Sequence, residues 1–164
     1  MATQVQFRRG TTSQHGSFTG AVGEVTVDTD KDTVVVHDGS QAGGFAIPNL
    51  KTAQEFTKTQ NFNATSLSDG STISWDASSN QVAKVTLGGN RALAAATNQV
   101  DGAVYVLSVT QDGSGSRTLS FNSNYKFTGG TAPTLTTTAS ATDILVFLSN
   151  GTNMQGIGRS LNVS

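Results

Sequence analysis

Residues 103–111, AVYVLSVTQ, change side-chain character at almost every step, and a period of two belongs to extended chain, whose side chains alternate between two faces. Ala103, Tyr105, Leu107 and Val109 line one face, with Val104, Val106, Ser108 and Thr110 on the other; the first face is the better core candidate. TISWD (72–76), QVAKVTL (81–87), SRTLSF (116–121) and DILVFLS (143–149) either alternate in the same way or carry the β-branched and aromatic residues that suit a half-buried pleated surface. GGN (88–90), QDGSGS (111–116), TGGTAP (128–133) and SNGTN (149–153) lie between them and supply residues tolerant of φ > 0. Gly and β-branched residues interrupt every helical alternative. The fold class expected is all-β, with residues 67–164 forming an antiparallel β-sandwich of jelly-roll type or a small barrel.

The pattern ahead of this domain divides in two. Residues 1–48 form a small β module in which EVTVD (24–28) and DTVVVHD (32–38) flank a hairpin turn at Asp30 and Lys31. Val25 and Val27 share a face there, as do Val34 and Val36, while Val35 and His37 point the other way. A module of this size buries little surface alone, so its apolar faces are expected to need a partner. Residues 49–66 read as a connector, with Pro48 at its entrance and a single helical turn at Thr52 to Phe56.

Charge and cysteine content narrow the function classes. Ten Lys+Arg stand against eleven Asp+Glu in 164 residues, and charged side chains supply 13% of the chain, about half the usual share. That balance carries neither a nucleic-acid footprint nor a polybasic membrane patch. The chain has no cysteine, so disulfides and thiolate metal sites are excluded. No apolar run approaches a membrane span, and the opening MATQVQFRRG lacks the apolar core of a signal peptide; synthesis in a cytoplasm is expected.

Four groups of side chains invite a chemical reading. His15 and His37 with Ser13, Ser17 and Asp38 sketch a Ser/His/Asp set, but no nucleophile elbow accompanies them, and two solvated histidines are the expectation. Asp28, Asp30 and Asp32 mimic the first half of a calcium loop, which then fails at Thr33 and Gly39, where Gly and Glu are required. Arg8 and Arg9 follow Phe7 directly; on a strand they serve opposite faces, and pairing with Glu24 or Asp28 or a place at an interface is expected. Trp75 and Tyr125 are candidate glycan contacts, since flat rings cover sugar faces, although core filling is the favoured role for them and for Tyr105. No catalytic residue, metal or cofactor is expected.

The stretch VQFRRGTTSQHGSFTGAVGEVTVDTDKDTVVVHDGSQAGGF resembles the N-terminal module of phage tail fibres and of the phage major tropism determinant, through FRRGT, the pair Gly23–Glu24, a hairpin rich in Asp and Thr, and His37–Asp38–Gly39. VTLGGNRAL (85–93), VTQDGSGSRTLSF (109–121), YKFTGGTAPTL (125–135) and ATDILVFLSNGTN (141–153) resemble a β-rich domain recurrent in phage tail and other virion proteins. The resemblance implies a non-enzymatic virion protein, a homotrimer intertwined through residues 1–48, docked to a tail or major capsid protein. Phe7, Arg8, Arg9, Glu24, Val34 and Val36 are the expected docking and trimer-interface residues. Tail fibre ranks first; a capsid decoration protein at threefold sites, favoured by the chain's brevity, and a host-glycan-binding module are the alternatives.

Overall fold

The computed structural model describes residues 5–48, 58–79 and 81–163, so the helical turn read at Thr52 to Phe56 lies outside the described residues. The chain divides into two compact units, Met1–Gln60 and Asn61–Ser164.

In the first unit β1 (Arg8–Gly10), β2 (Val25–Asp28), β3 (Thr33–Val36) and β4 (Phe45–Ala46) form one sheet in that order. The expected hairpin is present: β2 and β3 pair antiparallel with Val25 opposite Val36 and Asp28 opposite Thr33. β1 lies parallel to β2, and the crossover that parallel pairing needs is supplied by α1 (Thr12–Gly16). The helix starts with a capping box. The Gln14 amide donates to Thr11 Oγ1 at 3.2 Å, and the Thr11 amide donates to Gln14 Oε1 at 2.8 Å, so two donors left over at a helix start are satisfied reciprocally. The TTSQ sequence carries that signal.

The second unit is all-β, as expected, but neither sheet is antiparallel throughout: the larger is mixed and the smaller is wholly parallel. β5 (Thr65–Ser66), β7 (Val82–Leu87) and β9 (Val104–Gln111) lie parallel in a six-stranded sheet, while β6 (Thr72–Ile73), β8 (Arg91–Leu93) and β10 (Leu119–Phe121) lie parallel in a three-stranded one. From β5 to β10 the chain therefore alternates between sheets, and each parallel connection in that stretch passes through a strand of the opposite sheet. Turn spacing reveals where strands end, but not which sheet receives the next one. β12 (Thr142–Ser149) then pairs antiparallel with β9 and with β13 (Met154–Ser160), and β11 (Tyr125–Lys126) flanks β13.

The core lies between these sheets. Tyr105, Leu107 and Val109 are buried on the face the alternation selects, with Ala83, Val85 and Leu87 beside them on β7 and Leu145 and Phe147 on β12. Ile73, Leu93 and Leu119 close the core from the smaller sheet. Asp143 is buried in the same row as Val85 and Val109. Its carboxylate accepts the Thr136 amide at 2.6 Å and the Asn162 amide at 2.8 Å, which offsets the cost of burying the charge.

Candidate docking surface

The N-terminal sheet is polar on its covered face and apolar on its bare one. Thr26, Asp28, Thr33, Val35 and His37 point into the unit and are buried. Val25, Val27, Val34 and Val36 point outward; because residues opposite one another share a face, Phe45 beside Val36 joins them, as does Ile47, whose amide donates to the Val34 carbonyl. Exposures of 40% for Val34 and 51% each for Phe45 and Ile47 leave this apolar face wet among the described residues. Arg9 stands opposite Val27, which puts it on the same face. Alternation places Phe7, 58% exposed, on that side also.

Arg8 has a different role. Its guanidinium meets Glu24 at 3.0 Å and lies 4.7 Å from the centre of the Phe18 ring. Glu24 accepts the Ala21 amide with its other oxygen at 2.9 Å. Of the residues expected at the interface, the structure therefore brings Phe7, Arg9, Val34 and Val36 together on the outward face, while Arg8 and Glu24 pair within the unit. Among the described residues no carboxylate forms an ion pair with Arg9.

The histidines are buried, contrary to the expectation that both are solvated. Thr26 Oγ1 lies 2.8 Å from His15 Nε2 and 2.9 Å from His37 Nε2. At one end the Gly20 amide donates to His37 Nδ1 at 3.3 Å; at the other, His15 Nδ1 lies 3.0 Å from the Thr11 carbonyl, which can only accept. The two ends set one direction for neutral rings: His37 Nε2–H donates to Thr26, the Thr26 hydroxyl donates to His15 Nε2, and His15 Nδ1–H donates to Thr11. His37 fits because Gly20 and Gly44 have no side chains, since a Cβ at either would stand within 2.8 Å of its ring. These hydrogen bonds engage both ring nitrogens of each histidine with partners inside the unit. The hydrophobic spacing of the hairpin hid this, because it read His37 as a solvated strand end.

The acidic residues serve turns. Asp28 accepts the Thr12 hydroxyl at 2.7 Å and the Asp30 and Lys31 amides at 3.0 and 3.3 Å. Burial pushes its carboxyl up, but these hydrogen bonds and the Lys31 charge outweigh it and hold the carboxyl below the usual carboxylate value. Asp38 takes the Gln41 and Ser40 amides at 2.8 and 2.9 Å, which hold its carboxyl low in the same way. Gly39 follows at φ +79°, and a Cβ there would meet Val22 Cγ2 at 2.8 Å, so only glycine fits the third position of His37–Asp38–Gly39.

In the second unit the two rings named as glycan contacts are inside the core: Trp75 is 1% exposed and Tyr125 5%. Trp75 meets Tyr105 edge-on with 5.9 Å between ring centres, and Tyr125 packs edge-on against Phe121 and Phe147. A buried ring offers no face to a sugar, so the stacking platform at these two residues is withdrawn.

Comparison with known proteins bears on both units. Residues 5–41 match the major tropism determinant N-terminal domain, and residues 67–154 match the phage tail fibre C-terminal domain. The tail fiber receptor-binding protein of Bordetella phage BPP-1 is 53% identical over 75 residues, covering 39% of this chain and 20% of that protein. The chain thus spans about a fifth of the curated relative it matches. Among solved structures, the Major Tropism Determinant I1 Variant is 69% identical over 27% of this chain and 12% of its own, with a TM-score of 0.27. The M1 Variant is 27% identical over 93% of this chain and 42% of its own, with a TM-score of 0.31. The second family match covers more than half of the 164 residues, and the chain belongs to the phage tail fibre C-terminal domain family, with a module of the major tropism determinant N-terminal type ahead of that domain.

Proposed function

We propose that this chain is a structural, non-enzymatic component of a phage tail fibre, that it assembles as a homotrimer, and that the outward face of its N-terminal sheet is the self-association surface. The observation that carries the reading is the bare apolar face of Val34, Val36, Phe45 and Ile47 with Phe7 beside it. Covering each large side chain fully contributes about 1.5–3 kcal/mol. Three copies arranged about one axis bury such a face without leaving an open end, because a cyclic arrangement closes on itself. Arg9, at the margin of that face, is the residue proposed to grip a carboxylate of the tail protein that receives the fibre.

Light scattering on the purified chain tests the assembly. The expected mass is three times that of one chain, and Val34→Asp or Phe45→Asp, each placing a charge on the exposed face, is expected to yield a monomer with an unchanged circular dichroism spectrum. A monomeric parent, or a trimer indifferent to both substitutions, contradicts the reading.

A further inference from the structure

The second unit contains a cleft of about 410 Å³ that is not part of the self-association face proposed for the first unit. One wall is the strand β13; the other is the segment after β11, with Phe127, Thr128, Thr131 and Pro133. Two features keep it open. β11 pairs only with Met154 and Gln155, so beyond Gln155 the outer edge of β13 has no strand beside it among the described residues. A bulge then shifts the register between Val146 and Phe147, whose partners are Gly158 and Gly156. Ile157 is the unpaired residue of that bulge and stands 58% exposed at the cleft.

The lining has a mixed character. Phe127 is held edge-on against Phe121 and Phe147 at 5.0 and 6.0 Å between ring centres. Gly156 has no side chain to displace it, since a Cβ there would lie 3.0 Å from Phe127 Cδ1. Phe127, Pro133 and Ile157 present apolar surface, while the Thr128 and Thr131 hydroxyls and the open strand edge present donors and acceptors. Among the described residues Arg159 supplies the single charge, no carboxylate lines the cleft, and none forms an ion pair with Arg159.

We propose that this cleft binds a saccharide unit bearing a carboxylate, with Arg159 on the acid, the threonine hydroxyls on the sugar hydroxyls, and Phe127 and Ile157 against the C–H surface of the ring. A volume of about 410 Å³ lies within the usual range for small-ligand sites. The charge selects an anion, and the guanidinium fork suits a carboxylate. The alternation of hydroxyls with apolar surface suits a ring that is polar at its rim and apolar across its C–H face. An extended peptide fits less well, because the bulge breaks the continuous ladder that strand addition requires.

The inference rests on the tail-fibre reading for its biological setting, but its test does not depend on particle location. Amide NMR spectra of the full chain are recorded with 3′-sialyllactose, a hyaluronan tetrasaccharide, lactose as the neutral control and an acidic hexapeptide. The expected result is that at least one acidic saccharide shifts the amides of Gly156 to Ser160 and of Thr128 to Thr131, and that Arg159→Gln, an exposed substitution that leaves the fold intact, weakens it at least about tenfold. Binding of lactose as tightly as the acidic sugars, shifts produced by the peptide alone, or no shift from any probe overturns the proposal. A chain found on the tail that ignores these sugars loses the cleft assignment and keeps the fibre role; a chain that binds them but is absent from the tail does the reverse.

Discussion

Thr26 holds two imidazoles at once, and its hydroxyl is the one partner that both buried Nε2 atoms share. Thr26→Val keeps the shape and removes the hydroxyl, leaving both Nε2 atoms unsatisfied in a buried site. A loss of about 3 kcal/mol in denaturant unfolding of the full chain is expected, with Thr26→Ser recovering most of it. Imidazole ¹⁵N spectra in mildly alkaline buffer are expected to show His37 with its proton on Nε2 and His15 with its proton on Nδ1. Asp28 provides the pH dependence. Its folded value lies below the unfolded one, so the unfolded chain binds the extra proton; the stabilisation is complete above about pH 4 and is lost as pH falls through the folded value. Asp28→Asn is expected to cost about 2 kcal/mol at neutral pH and to show a shallower acid limb in urea titrations; an identical limb contradicts the assignment. Little of this was legible beforehand. The two histidines read as solvated and Asp28 as part of a failed calcium loop, and only the helix crossing over the sheet, with Gly20 and Gly44 closing on His37, makes these groups interior.

At the scale of elements, the long alternating strands were legible and the short ones were not. Val82–Leu87, Val104–Gln111 and Thr142–Ser149 repeat a two-residue burial pattern over six to eight residues, enough for the period to stand out. Arg91–Leu93 and Tyr125–Lys126 are too short to show one, and Met154–Ser160 hides its pairing behind two glycines and a bulge. β5 falls inside the stretch that composition assigned to a connector. Turn chemistry was the more dependable signal. Gly115 sits at φ +67°, where a Cβ would lie 2.5 Å from the Thr137 carbonyl oxygen and 2.7 Å from the Ala139 amide. Gly113, two residues earlier, has open space around it. Gly115→Ala is expected to cost at least about 2 kcal/mol and Gly113→Ala almost nothing, read as the difference between their thermal midpoints; equal effects contradict the close packing of this loop.

For the whole molecule, motif and composition led to the expectation of an opening module and a β domain, and the family followed from motif alone. The opening motifs have physical causes in the structure. Arg8 pairs with Glu24 across the first sheet, His37 joins the buried hydrogen-bonded chain, Asp38 caps a turn, and Gly39 takes a conformation that other residues resist. Sequence reasoning named Val34 and Val36 as expected interface residues because a small module has more apolar surface than it can cover, and the structure places both on the outward face. It missed Phe45 and Ile47, which join the same face only through the pairing of β3 with β4. A tail-fibre component is present in few copies per particle, so copy number separates a place on the tail from one on the shell. Quantitative mass spectrometry of purified particles, referenced to the major capsid protein, is expected to find a few copies of this chain per hundred capsid subunits, in a multiple of three per particle. A ratio near one to one would place it on the shell and contradict the account.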